Sequence, residues 1–171
     1  MTNARGWFAA AGFGVLALMA SCTSSTGNHS NQAGGGTTVA VRNVSGDQVL
    51  VNSSGRTLYT SDQENTAAKI LCSSRDCLAI WTPLTVAKGQ QPTAPSGVSS
   101  TLGTVSRPDG SVQVTFKGGP LYTFSFDHGA GDVHGDNVKD SFSGTNFTWH
   151  AATTSGAVAP NTGASNAGNG Y

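Results

Sequence analysis

The densest concentration of groups that could do chemistry lies in one glycine-rich stretch, Asp127-His128-Gly-Ala-Gly-Asp132-Val-His134-Gly-Asp136. Carboxylate and imidazole together form a donor set suited to zinc, copper or another divalent ion, so Asp127, His128, Asp132, His134 and Asp136 are the candidate metal ligands. The alternation of Asp132, His134 and Asp136 has the look of a calcium loop. Such a loop closes on a bidentate glutamate at its twelfth position, where this chain has Ser143, so that type of site is excluded. The competing reading is structural: Asp127 and Asp132 accept hydrogen bonds from loop amides while the histidines stay solvated. On that reading Tyr122 and Asp127 form a buried pair, because a tyrosine can bury its ring while its hydroxyl meets a polar partner.

Thiols are the second chemical resource. The run Leu18-Met19-Ala20-Ser21-Cys22 resembles a bacterial lipobox, in which the cysteine thiol takes a diacylglyceryl group before cleavage on its amino side. Ahead of it, Arg5 gives a positive start and residues 7–20 form an uncharged apolar run, the pattern of a signal peptide over residues 1–21. Two or three acyl chains on Cys22 would bury enough methylenes, at ~0.8 kcal/mol each, for stable membrane attachment without a spanning helix. With Cys22 used by lipid, Cys72 and Cys77 are left to pair as a disulfide in an oxidising compartment. Their spacing is not that of a C-x-x-C redox site. Catalytic signatures are missing: the sequence contains no G-x-S-x-G, no H-E-x-x-H and no phosphate-binding glycine loop. The expectation is a protein that is not an enzyme and carries no cofactor.

Positioning these groups requires a domain, and composition limits its kind. Of 171 residues only 11% are charged and 23 are glycine, which suits a turn-rich β protein with low-complexity ends. Nine basic residues balance nine acidic ones, so no electrostatic footprint for nucleic acid exists. Residues 22–37 and 153–171 hold too few large apolar side chains to offset ordering entropy, and read as a lipidated flexible tether and a disordered tail. A β domain is expected over 38–152. Alternating apolar residues mark strands at Val39–Val44, Val49–Val51, Leu58-Tyr59, Leu102–Ser106, Ser111–Phe116, Leu121–Phe126 and Phe147–Ala151. Turn chemistry separates them at Asn52–Gly55, Arg107–Gly110 and Lys117–Pro120. The segment Ala67–Trp81 holds the one short helix expected, outside the sheet and ending before Pro83.

Laid on itself at an offset of 63 residues, the chain superposes Val49, Val51, Gly55, Leu58, Tyr59 and Thr60 on Val112, Val114, Gly118, Leu121, Tyr122 and Thr123. Six matches in so short a window indicate a duplicated hairpin unit, with copies at about 45–84 and 102–151. Two copies packing together give a small antiparallel sandwich or barrel, with Leu58 and Leu121 in equivalent core positions and Tyr59 and Tyr122 in one shared environment.

The second copy resembles the bacterial lipoproteins known as the secreted repeat of unknown function, described by a Y-x-(F/W/Y)-x-x-D motif. The resemblance is carried by Leu102-Gly103, Arg107-Pro108-Asp109-Gly110, Gln113-Val114, Tyr122-x-Phe124-x-x-Asp127 and Gly131-Asp132-x-x-Gly135. The first copy matches through Gly55-Arg56-Thr57-Leu58-Tyr59, Cys72, Cys77 and Trp81-x-Pro83, but has Ser61 in place of the aromatic and Glu64 in place of the aspartate. The resemblance implies motif roles for Tyr59, Trp81, Tyr122, Phe124, Asp127 and Asp132, and an extracytoplasmic address on the cell membrane. It brings no mechanism. The partners it leaves open are the membrane, through the anchor, and an unknown envelope protein or component. The leading expectation is a non-enzymatic binding module, and the alternative is a metal-binding or buffering lipoprotein using the 127–136 loop.

Overall fold

The computed structural model describes residues 38–65 and 69–155, so the expected signal peptide, the expected tether with Cys22 and most of the expected tail lie outside the described residues. Strand β1 (Val39–Val44) turns through Ser45-Gly46 into β2 (Asp47–Asn52). After β3 (Tyr59–Ser61) come two short helices, α1 (Asp62–Asn65) and α2 (Arg75–Ile80), and the strands β4 (Trp81–Pro83) and β5 (Thr85–Val86). A single 3-10 turn (Ser99–Thr101) precedes β6 (Leu102–Ser106), β7 (Val112–Phe116), β8 (Gly119–Pro120), β9 (Tyr122–Phe124), β10 (Lys139–Phe142) and β11 (Thr145–Ala151). All pairings are antiparallel, in the sheets β1-β2, β10-β11-β3-β9-β4 and β5-β7-β6 with β8 on β7. The sheets curl into a half-barrel.

The tight hairpins owe their shape to residue–glycine pairs. At Ser45-Gly46, Lys117-Gly118 and Ser143-Gly144 both central residues have positive φ, the two-residue turn whose twist matches that of the flanking strands. The turn between β2 and β3 differs. It holds three residues, Ser53, Ser54 and Gly55, and closes when Asn52 N–H donates to the Arg56 carbonyl at 2.9 Å.

That extra residue changes the internal repeat. Leu58 N–H donates to the Leu50 carbonyl, and Leu121 N–H donates to the Val114 carbonyl, both at 2.9 Å. Leu50, not Val51, is therefore the counterpart of Val114, and the aligned valines of β2 and β7 are one residue out of register. From Gly55 onward the offset of the sequence alignment holds. Tyr59 lies directly opposite Tyr122, so the β3–β9 contact maps onto itself and marks a pseudo-twofold axis.

Around that axis the halves trade strands. β4 pairs with β9, and β5 pairs with β7, both in the second half. In return β11 pairs with β3, and Thr153 bridges to Val49, both in the first half. The backbone bonds repeat residue for residue: Leu84 donates to Leu121 and Val114 to Leu84, as Ala152 donates to Leu58 and Leu50 to Ala152. Trp81 and Trp149 occupy matching places, facing Phe124 and Ser61.

Alternation of side chains across the strands separates two cores. Leu58 and Leu121, both fully buried, lie in an aliphatic cluster with Val39, Leu50, Val98, Val114, Phe116 and Ala152. Tyr59 and Tyr122, one residue on, point the other way into an aromatic cluster with Trp81, Trp149, Phe124 and Phe147. The equivalence expected of both residue pairs is present.

Several boundaries differ from the sequence expectation. Besides α2, residues 62–65 form a second helical turn, too short to show a period. Trp81 is not outside the sheet but opens β4, because its backbone pairs with Phe124. β10 has little alternation to betray it, and is held by the Ser143-Gly144 turn. The folded domain also runs past 152: Thr153 is buried and Thr154 N–H donates to the Gln48 carbonyl.

Because the two leucines fill matching sites, Leu58→Ala and Leu121→Ala should each cost about 2–5 kcal/mol. Leu102→Ala, at a partly buried position, should cost less. Urea unfolding of the three variants measures this, and a near-zero loss at either buried leucine contradicts the shared core.

Candidate functional site

The motif residues converge on the aromatic core, but with partners crossed between the copies. Tyr59 Oη donates to Asp127 Oδ2 at 2.7 Å, and Tyr122 Oη donates to Glu64 Oε1 at 3.1 Å. The expected pair of Tyr122 with Asp127 is thus replaced: each tyrosine reaches the acid of the other repeat. Antiparallel pairing at Tyr59–Tyr122 causes this, since the chain after each tyrosine runs beneath the other half.

Both acids are fixed by backbone donors. Asp127 Oδ1 accepts from His134 N–H at 3.0 Å, and Gly135 N–H donates to Tyr59 Oη at 3.3 Å. A side chain at position 135 would meet the rings of Tyr59 and Trp81 at 2.9–3.0 Å, so only glycine lets the loop approach. Glu64, fully buried, accepts from Leu71 N–H at 2.6 Å, from Cys72 N–H at 3.0 Å and from Ser61 Oγ at 3.1 Å. The Cys72–Cys77 disulfide forms as expected, with Cα atoms 5.6 Å apart and both residues in the aromatic cluster.

A buried cation completes the Glu64 side. Arg107 donates through Nη1 to Gln113 Oε1 and through Nη2 to the Cys72 carbonyl at 2.9 Å, while Gln113 Nε2 donates to the Leu121 carbonyl at 2.8 Å. On the Asp127 side, Arg56 Nη2 donates to the Phe124 carbonyl at 2.7 Å. Between the two tyrosines the indoles of Trp81 and Trp149 stack at 3.9 Å, and both N–H groups donate to Asp140, at 2.8 and 2.9 Å. Phe124 and Phe147 extend the stack on either side.

The loop of candidate ligands does not assemble a metal centre. Asp132 Oδ2 accepts from His128 N–H and Gly129 N–H at 2.8 and 2.7 Å, closing its own turn. His134 Nδ1 lies 3.4 Å from Asp127, but His128 is exposed and Asp136 faces the other way, accepting from Ala151 N–H at 3.0 Å. Among the described residues no group of three His, Cys, Asp or Glu side chains is placed to hold a metal ion. The loop-amide reading of Asp127 and Asp132 is the one that the geometry shows.

Sequence reasoning overlooked Glu64, Arg107, Gln113 and Asp140 as contributors. Glu64 carried a signal, standing at the repeat offset from Asp127; Asp140 belongs to no motif.

Burial pushes the hydroxyls of Tyr59 and Tyr122 up, reinforced by the facing carboxylates of Asp127 and Glu64, so both stay protonated donors. Burial likewise raises Asp127, Asp136 and Asp140 above the ordinary carboxylate range. Half-buried Asp132 is held low by the Gly129 and His128 amides. The arrangement can fix two halves together and exclude water from the aromatic stack.

Crossed bonding makes a specific pattern of couplings. Double-mutant cycles should give about 0.5–3 kcal/mol between Tyr59→Phe and Asp127→Asn, and between Tyr122→Phe and Glu64→Gln. The within-motif cycle of Tyr122→Phe with Asp127→Asn should be near additive; the reverse pattern would contradict the crossed arrangement.

A pH dependence follows from the raised carboxylates. A folded pKa above the unfolded one lets the native state bind more protons in the window between them, so the group's contribution grows as pH falls and shrinks as pH rises through the folded value. Thermal melts from neutral pH down to about 4, near the unperturbed Asp value, should therefore show wild type gaining on Asp127→Asn as acid is added. A gap that moves the other way would refute the raised value at Asp127.

No curated protein and no solved structure matches the chain. A family model does match, over residues 103–153, and its span runs from β6 to the buried Thr153. Residues 103–153 thus match the family described as a secreted repeat of unknown function, as the motif residues of the second copy led one to expect.

Proposed function

We propose that the chain is a lipid-anchored lipoprotein of the cell envelope whose β domain is a non-enzymatic binding or interaction module. The observation that carries this reading is the use of chemistry-bearing side chains as fasteners. Asp127, Glu64, Asp136 and Asp140 each accept hydrogen bonds from the fold itself. A secreted repeat suits an extracytoplasmic place, and among the described residues no helix is long and apolar enough to cross a membrane. Lipid on Cys22 would then supply the attachment. Surface that remains available for a partner includes the groove along β1 and the β2 turn, lined by Val41, Arg42, Asn52 and Gly55. Its backbone edge and mixed polar lining suit an extended polypeptide better than a small molecule.

Cell fractionation tests the anchor. Cys22→Ala should release the protein from membranes or leave it uncleaved, whereas Cys72→Ala should leave attachment intact; normal acylation and cleavage of the Cys22→Ala protein would end the lipoprotein reading. In the same cells a photo-crosslinker at Arg42 should trap a discrete envelope adduct. Absence of adducts from every exposed strand position would remove the interaction reading.

A further inference from the structure

Neither half of this domain closes its own sheet. β4 and β5 find their partners in β9 and β7, and in return the strand β11 finds β3 while Thr153 finds Val49. Three buried polar contacts also cross between the halves: Tyr59 with Asp127, Tyr122 with Glu64, and Arg107 with the Cys72 carbonyl. So does the indole stack of Trp81 on Trp149. Everything that recognises the second half is displayed by the first, and the recognition does not depend on the two belonging to one molecule.

Only residues 87–98 join β5 to the 3-10 turn, and their composition is that of a hinge. They are mostly exposed, include Pro92 and Pro95, and place Gly89 and Gly97 at positive φ. Their backbone bonds to the first half pass through Thr93, whose carbonyl accepts from Thr38 and Val39 N–H, while the Pro95 and Val98 carbonyls accept from Ser99 and Thr101 N–H of the adjoining turn. Val98 and Ala94 add apolar contacts at the aliphatic cluster. Extended, this segment reaches about 40 Å at ~3.3 Å per residue.

We propose that the surface between the halves is also the docking surface for a second copy of this chain: two molecules exchange second halves about residues 87–98, giving a dimer of two composite domains. Each composite repeats the monomer's contacts, so the balance is set by concentration against the local concentration that the hinge imposes, in the millimolar range for a short flexible linker. Exchange occurs during folding. Once formed, the crossed strands and buried pairs must all open before halves can part.

The test uses the full chain in mild detergent with Thr82→Cys and Thr123→Cys, residues that face each other across β4 and β9. Isotopically light and heavy chains are mixed while denatured, refolded over a range of concentrations and oxidised, and the peptide joining positions 82 and 123 is read by mass spectrometry. Exchange predicts a mixed-label peptide whose share rises with refolding concentration. Only same-label peptides at every concentration would overturn the proposal. Deleting residues 89–94 should convert the protein to an obligate dimer by light scattering, and a folded monomer of that variant would equally overturn it; if the variant does not fold, the isotope result decides.

Discussion

A tyrosine hydroxyl taken out of water must find an acceptor, and here two of them are buried side by side at one point of backbone contact. The fold's answer is to give each the carboxylate that follows the other. An unsatisfied buried hydroxyl costs about 1–3 kcal/mol, and an unpaired buried carboxylate costs more, so the four groups are tolerable only together. Their demands reach outward. Glu64 is held by the amides that start the disulfide segment, and Asp127 by an amide of the glycine-rich loop. Both irregular segments of the domain are thereby organised by one crossed pair of bonds.

The two cores follow from the same crossing. At residues 58–59 and 121–122 a leucine and a tyrosine project to opposite sides, and the pseudo-twofold brings like to like on each side. The aliphatic side fills with branched side chains from the outer hairpins. On the aromatic side, rings stack in line and their polar edges are drawn to Asp140, Asp127 and Glu64. This division explains why residues with the look of an active site are enclosed: they are the polar margin of an aromatic core.

Much of this architecture is legible in the sequence because it is periodic. Valine alternation, residue–glycine turns and the duplicated Gly-x-x-Leu-Tyr run place the hairpins and predict the shared environments of Leu58 with Leu121 and Tyr59 with Tyr122. The one-residue slip between β2 and β7 is hidden because the valines match in the ungapped alignment, while the true register sets Leu50, not a valine, against Val114. The crossing of partners is hidden for a different reason. Linear spacing puts Asp127 five residues after Tyr122, and nothing in the chain says that antiparallel pairing sends it to Tyr59. Short strands such as β4 and β5 carry no period of their own, since their partners come from the distant half. Asp140 has no motif because its role exists only once two tryptophans far apart in the chain are stacked.

Asp140 also separates the two copies. A carboxylate that accepts from both indoles lies beside the symmetry axis, where an identical unit would bring a second carboxylate to nearly the same place. Two such groups cannot both be ionised at close range, so an assembly of identical repeats could not keep this contact in its present form. Joining the repeats in one chain removes that obligation. One half is then free to spend its loop on a disulfide, the other on a buried arginine, a glycine-rich turn and the shared aspartate. The duplication thus opens a freedom that symmetry forbids: inheritance can act on each half separately while the contacts between them stay in place.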